Sequence, residues 1–160
     1  FEQSIKSLVT GRFLMCQEAG KRMLAQGKGS IVNIGSIGGV SSLGRGQIAY
    51  FAAMGAVVQM VRGLATEWAS RGVRVNAILP AQVLNPGLAE RIEKTPEVLD
   101  TFLRGIPAGR MGQPDDIRGL SGLLASDASA WITGALIPMD GGNLALNAGG
   151  SYPGSPAASG

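Results

Sequence analysis

Residues 30–80 read SIVNIGSIGGVSSLGRGQIAYFAAMGAVVQMVRGLATEWASRGVRVNAILP, and the order of textures in this stretch decides the fold. The run at 30–35 is short and β-branched, which predicts a buried strand. A Gly/Ser-rich loop follows over 36–47. Residues 48–70 are rich in Ala, Val and Met and predict a long helix, closed by the glycine at 72. The run VRVNAIL at 73–79 predicts a second strand, stopped by Pro80. Strand, loop, helix and strand in close succession describe an α/β protein. The two strands are then parallel and joined by a right-handed crossover.

Working outward, residues 1–26 predict one helix with apolar positions at Ile5, Val9, Phe13, Cys16 and Met23-Leu24, ended by Gly27 and Gly29. There is no initiator methionine and no leading strand, so a truncated start is expected. Downstream, Pro86, Pro96 and Pro107 interrupt residues 82–109, with helices expected at 88–94 and 97–104. A helix at 114–126 and a last strand at 135–139 follow, then the turn Asp140-Gly141-Gly142. Residues 143–160 are an uncharged Gly/Ala/Ser/Pro-rich tail, expected to be disordered or loosely docked. The organisation is therefore 1–142 as the structured part and 143–160 as the tail, with no internal repeat.

Composition excludes several chemistries. The chain of 160 residues contains no histidine, which removes Ser–His–Asp catalysis, Cys–His catalysis and histidine-based metal sites. The acids are scattered, and Asp115-Asp116 after Pro114 read as first-turn residues facing a helix dipole. No metal site is expected. Fourteen bases against eleven acids give a formal charge of +3. The bases are scattered from Lys6 to Arg118, adjacent only at Lys21-Arg22, without a run or aromatic interleaving, and read as solvated faces rather than a nucleic-acid footprint. The single cysteine, Cys16, excludes an internal disulfide and fits a reducing, cytoplasmic setting. No apolar run reads as a membrane span, and nothing resembles a signal peptide.

Ligands of parallel sheets bind at the carboxyl ends of the strands. Ser36 ends the first strand, Pro80 the second, and Tyr50 lies in the first turn of the helix between them, so all three are expected on one rim. A phenol there can donate a proton to a carbonyl oxygen as hydride reaches the carbon, or accept one in reverse. Free tyrosine titrates at about 10, and a lysine one turn along would favour the phenolate. That position holds Met54. On the residues alone, Ser36 and Tyr50 read better as ordinary loop and helix-start residues. Residues 44–49 match G-x-G-x-x-A and open a helix, yet follow no strand, so they read as loop rather than a dinucleotide fingerprint.

Five blocks raise the functional reading: IVNIGS (31–36), AYFAAMGAV (49–57), VRVNAILP (73–80), GRMGQPDDI (109–117) and ITGALIPMDGG (132–142). In this order they resemble the short-chain dehydrogenase/reductase family over residues 1–142. The resemblance implies the later half of a Rossmann-like, doubly wound parallel sheet, with the glycine-rich first βαβ portion missing. The first strand would then be an unpaired edge. It also implies NAD or NADP as cofactor, a small-molecule alcohol or carbonyl substrate, and a homodimer or homotetramer.

By the same resemblance Ser36 is the substrate-orienting serine and Tyr50 the acid/base tyrosine. Met54 stands at the lysine of Tyr-x-x-x-Lys. Leu8 stands three residues before Gly11, where the family has the asparagine of its proton path. In place of Pro-Gly-x-x-x-Thr, which flanks the nicotinamide, the chain has Pro80, Ala81, Val83 and Asn85. The reading is an NAD(P)-dependent oxidoreductase impaired by these replacements; the alternative is a non-catalytic assembly module or an inactive remnant.

Overall fold

The protein is described by a computed structural model over residues 1–42 and 46–147. Gly44 and Arg45 of the G-x-G-x-x-A stretch, and residues 148–160 of the tail, lie outside the described residues.

The chain opens with α1 (Glu2–Ile5), a π-helical turn (Lys6–Thr10) and α2 (Gly11–Gln26). The junction residues Ile5, Thr10 and Gly11 keep right-handed helical dihedrals, so the three form a continuous rod. The expected single helix is thus present, with one widened turn. It ends at Gly27 in the left-handed conformation, which glycine adopts without a Cβ penalty.

Strand β1 (Gly29–Ile34) leads through a 3-10 turn (Ile37–Gly39) to α3 (Ile48–Trp68), a second 3-10 turn (Ala69–Arg71) and β2 (Val73–Pro80). Then come α4 (Pro86–Lys94), α5 (Glu97–Leu103), a 3-10 turn (Pro114–Ile117), α6 (Arg118–Ala125), β3 (Leu136–Met139) and α7 (Asn143–Asn147). The helix expected from 114 begins as this 3-10 turn, because the Asp116 carboxylate folds back to accept the Gln113 N–H at 2.8 Å.

The sheet has the order β1-β2-β3. β1 and β2 pair in parallel, from Gly29 beside Val73 to Ile34 beside Ile78. β3 runs the same way, since Ala77 N–H donates to Ala135 O and Ala81 N–H to Met139 O. Gly72 seats the strand starts together. Its φ is +79°, and a Cβ there would stand 2.0 Å from the Gly27 carbonyl oxygen, so only glycine fits.

Two compact units are present. The first is Phe1–Pro80 with Arg118–Pro138, the second Ala81–Ile117 with Met139–Gly160. In the first, α3 buries Ala53, Met54, Val57, Val58, Val61 and Ala65 and packs on β2. The central strand β2 is buried almost throughout, as a strand covered on both faces should be. β1 is only half-buried and Ile34 is exposed. The expectation of a buried strand is corrected here. Among the described residues β1 has one strand neighbour, β2, and its other edge is unpaired. In the second unit, Phe102, Ile106 and Met111 form a core with Leu88, Val98, Leu99 and Leu103 around it.

Two further expectations change. The helical segment Ile48–Arg71 does reach membrane-spanning length, with 24 residues that include an 18-residue stretch of mean hydropathy 1.5. Its apolar character is explained by the face it buries on β2. The tail also begins with structure, because Asp140 Oδ1 accepts from Gly142 N–H and Oδ2 from Leu144 N–H. The buried Asn143 donates to Gly105 O at 2.6 Å.

Candidate active site

The β1–β2 register positions the site. Ile34 lies beside Ile78, so continuing the ladder by two residues sets Ser36 level with Pro80. Gly35 makes this possible: its N–H donates to Ile78 O at 2.8 Å, and a Cβ there would press on Leu79 at 2.7 Å. Ser36 is extended and caps the 3-10 turn, its Oγ accepting the Gly38 N–H at 3.0 Å. A hydroxyl that accepts from the backbone still has its own proton to donate. Ser36 can therefore offer an O–H to a substrate oxygen.

Tyr50 sits in the first turn of α3, as expected, with 37% of its surface exposed. Its ring meets Phe51 edge to face at 5.9 Å between centroids. Phe51 fills the space over Gly38, where a Cβ would come within 2.6 Å of the ring. Gly39 lies against the helix backbone itself, its imagined Cβ 2.7 Å from the Met54 carbonyl oxygen. The Ser36 turn is thus pressed onto the first turns of α3 through two glycines. Gly38 links the two: an added Cβ there would lie 3.4 Å from Ser36 Oγ and 2.6 Å from the ring of Phe51, the neighbour of Tyr50.

Met54 is 2% exposed, so the position one turn after Tyr50 belongs to the packed core. Leu8 is half-buried within the π-helical turn, which packs against α3. A thioether and an isobutyl group provide no ionisable or strongly hydrogen-bonding group at these two places.

The remaining residues of the expected cofactor loop lie in the second unit. Ala81 donates its N–H to Met139 O at 3.1 Å. Val83 bridges to Gly112. Asn85 caps α4: its Oδ1 accepts from Leu88 N–H at 3.0 Å and its Nδ2 reaches Val83 O at 3.3 Å. Near this loop Arg110 holds Asp116 through both terminal nitrogens, at 2.7 and 2.9 Å. That hydrogen-bonded guanidinium, helped by the Gln113 N–H, lowers the Asp116 carboxyl to about 2. Among the described residues no cluster of three or more His, Cys, Asp or Glu side chains is arranged to hold a metal.

A family profile described as Enoyl-(Acyl carrier protein) reductase matches residues 1–143. The 2-(S)-hydroxypropyl-CoM dehydrogenase 3 of Xanthobacter autotrophicus is 40% identical over 86% of this chain and 55% of its own length. The galactitol 2-dehydrogenase (L-tagatose-forming) of Cereibacter sphaeroides is 43% identical over 84% of this chain and 53% of its own length. The chain belongs to the short-chain dehydrogenase/reductase family. Among solved members, a gluconate 5-dehydrogenase from Burkholderia cenocepacia in complex with NADP and tartrate superposes with a TM-score of 0.79. It is 31% identical over 86% of this chain and 53% of its own. A putative NAD(P) dependent gluconate 5-dehydrogenase from Beutenbergia cavernae with bound NADP gives 0.82 at 38% identity, over 88% of this chain and 56% of its own. The chain spans about half the length of the curated relatives it matches. Short-chain dehydrogenases/reductases are NAD(P)-dependent, and the α/β fold with its parallel sheet is theirs.

The residues on the rim fit the nicotinamide end of such a cofactor. Two hydroxyl-bearing side chains are available there, Ser36 just after β1 and Tyr50 in the first turn of α3. The buried Met54 does not fit the ribose end, which requires hydroxyl partners. Sequence reasoning missed Phe51, Gly38 and Gly39, which press the serine turn onto α3. The glycine pair at 38–39 was the available signal for a close backbone approach.

Proposed function

We propose that this chain is the part of an NAD(P)-dependent oxidoreductase that handles the alcohol or carbonyl substrate, with its proton transfer weakened by Met54. The observation that supports this best is the β1–β2 register, which runs to Ile34 beside Ile78, two residues before Ser36 and Pro80, with Tyr50 in the first turn of α3. NAD(P), when bound, supplies or takes up the hydride. The Ser36 hydroxyl, held by Gly38 N–H, donates to the substrate oxygen and orients it. The Tyr50 phenol donates a proton to that oxygen during reduction and accepts one during oxidation. Pro80, Ala81, Val83 and Asn85 flank the nicotinamide end. A homodimer or homotetramer is the proposed assembly, and a reducing, cytoplasmic setting fits the buried free thiol of Cys16.

A second reading, a non-catalytic assembly module, is favoured by one observation. Met54 is packed into the core, so α3 gains apolar contact where an acid/base site needs a cation.

The test compares the chain with its Met54→Lys variant, with and without Tyr50→Phe. NADH and NADPH binding and carbonyl reduction are followed in parallel. Under the oxidoreductase reading, Met54→Lys raises the reduction rate by about 10²-fold or more, and Tyr50→Phe abolishes the gain. Absence of cofactor binding in both the parent and Met54→Lys would sink independent catalysis and leave the assembly reading.

A further inference from the structure

A hollow of about 500 Å³ lies at the opposite end of the strands, where β1 and β2 begin. It falls wholly within the first unit. Sites for small organic ligands typically enclose about 300–1,000 Å³, so its size suits a molecule of one or two rings.

Trp131 lines this hollow and is fully exposed. Its neighbours on both sides are nonetheless held, Ala130 before it through an N–H donated to Asp127 O at 3.0 Å. Ile132 N–H donates to Ser129 O at 2.9 Å, Asn76 Nδ2 donates to Ile132 O at 2.9 Å, and Val75 N–H donates to Thr133 Oγ1 at 3.1 Å. The indole is thus presented by an ordered backbone, which lowers the entropy lost when a partner covers it. An indole offers a wide apolar face for ring stacking.

The charged groups around it do not cancel. Arg74 donates to Leu124 O at 3.0 Å, Ser129 Oγ at 2.7 Å and Ser126 O at 3.0 Å. All three acceptors are neutral, so the guanidinium charge is not compensated by them. Lys28 pairs with Asp127 at 3.0 Å, with side chains 76% and 79% exposed. Such a pair is weak and opens readily. Lys28 and Arg74 against Asp127 leave one net positive charge on the lining.

We propose that this hollow binds a planar aromatic anion. The ring stacks on Trp131, and the acid group takes Lys28 from Asp127 while lying in the field of Arg74. The site is separate from the Ser36–Tyr50 rim and stands or falls independently of the oxidoreductase reading.

The test is equilibrium dialysis of the 160-residue chain against 1-naphthalenesulfonate and its uncharged analogue 1-naphthalenemethanol. Binding of the sulfonate is expected to weaken by about tenfold or more in both Trp131→Ala and Lys28→Glu, one factor of ten in each equilibrium constant. The uncharged analogue is expected to bind the parent chain more weakly than the sulfonate. Trp131 is solvent-exposed, so its variant is expected to keep the parent circular dichroism and thermal midpoint. No sulfonate binding overturns the proposal, as does equal affinity in Trp131→Ala or equal affinity for the two probes. Self-association that depends on Trp131 and excludes the sulfonate, seen by analytical ultracentrifugation, also overturns it in favour of a second copy.

Discussion

Tyr50 and Ser36 differ in what their loss should do, because one is free of the fold and the other is part of it. The Tyr50 hydroxyl makes no hydrogen bond among the described residues, and the ring is partly exposed. Tyr50→Phe should therefore change stability by no more than about 0.5 kcal/mol, measured by urea unfolding, while removing carbonyl reduction from any active form. Ser36→Ala also loses the cap on Gly38 N–H, which should cost about 1 kcal/mol on top of activity. The Asp116 carboxyl is held near 2, below its ordinary value of 3.8, by Arg110 and the Gln113 N–H. Its folded value is depressed, so its contribution to stability is present above about pH 4. That contribution falls away as the pH drops through 4 toward 2. Acid titration of the thermal midpoint should show this loss in the parent chain and a flatter response over the same window in Asp116→Asn. Sequence reading placed Asp116 correctly at a helix start but assigned its carboxylate to the dipole. The Arg110 partner six residues earlier was not legible, since the turn that folds it back is a tertiary detail.

At the level of elements, the close seat between the Ser36 turn and α3 depends on glycine. Gly39→Ala would drive a methyl into the Met54 carbonyl at 2.7 Å, and overpacking of this kind costs about 1–3 kcal/mol. Gly63, mid-way along α3, has no atom within 4 Å of an added Cβ. Gly63→Ala should instead stabilise by about 0.5–1 kcal/mol, through helix propensity and a restricted unfolded chain. Chemical denaturation of the two variants side by side checks both signs. Asn76 in β2 is fully buried and joins the approach to β3, donating to Ile132 O and accepting from Ala135 N–H. Asn76→Leu strands both backbone groups, each at a cost of about 1–3 kcal/mol, and should show as a lowered midpoint in the same experiment. The strand VRVNAIL was legible from its β-branched texture. The role of its asparagine was not, because nothing in the local pattern shows which backbone groups remain unpaired across the sheet.

Across the whole chain, the free edge of β1 is the feature with the widest consequence. A half-buried strand with an exposed Ile34 and, among the described residues, an unpaired edge is a template for pairing with another strand. Ile34→Lys should reduce concentration-dependent association, read by light scattering across a dilution series, because an edge lysine resists stacking of a second strand. Unchanged association would place the contact elsewhere, for example on the exposed Phe13, Leu14 and Met15 of α2. The chain covers just over half of its relatives, and the resemblance by itself implies an unpaired first strand.

The sequence by itself determined the alternation of helix and strand and the parallel crossover, because periodicity and glycine placement are local properties; the family followed from the resemblance of five ordered blocks between residues 31 and 142. The same resemblance, and not spacing alone, singled out Ser36, Tyr50 and Met54. Tertiary structure decided what these residues do to their surroundings. Only packing could show that Met54 is core, that Ser36 keeps a proton free while accepting from Gly38, and that β1 is half open. Only packing could leave Trp131 bare on an anchored backbone beside an uncompensated Arg74. Those outcomes depend on which backbone groups and side-chain faces meet across long separations in sequence, and no local pattern encodes such meetings.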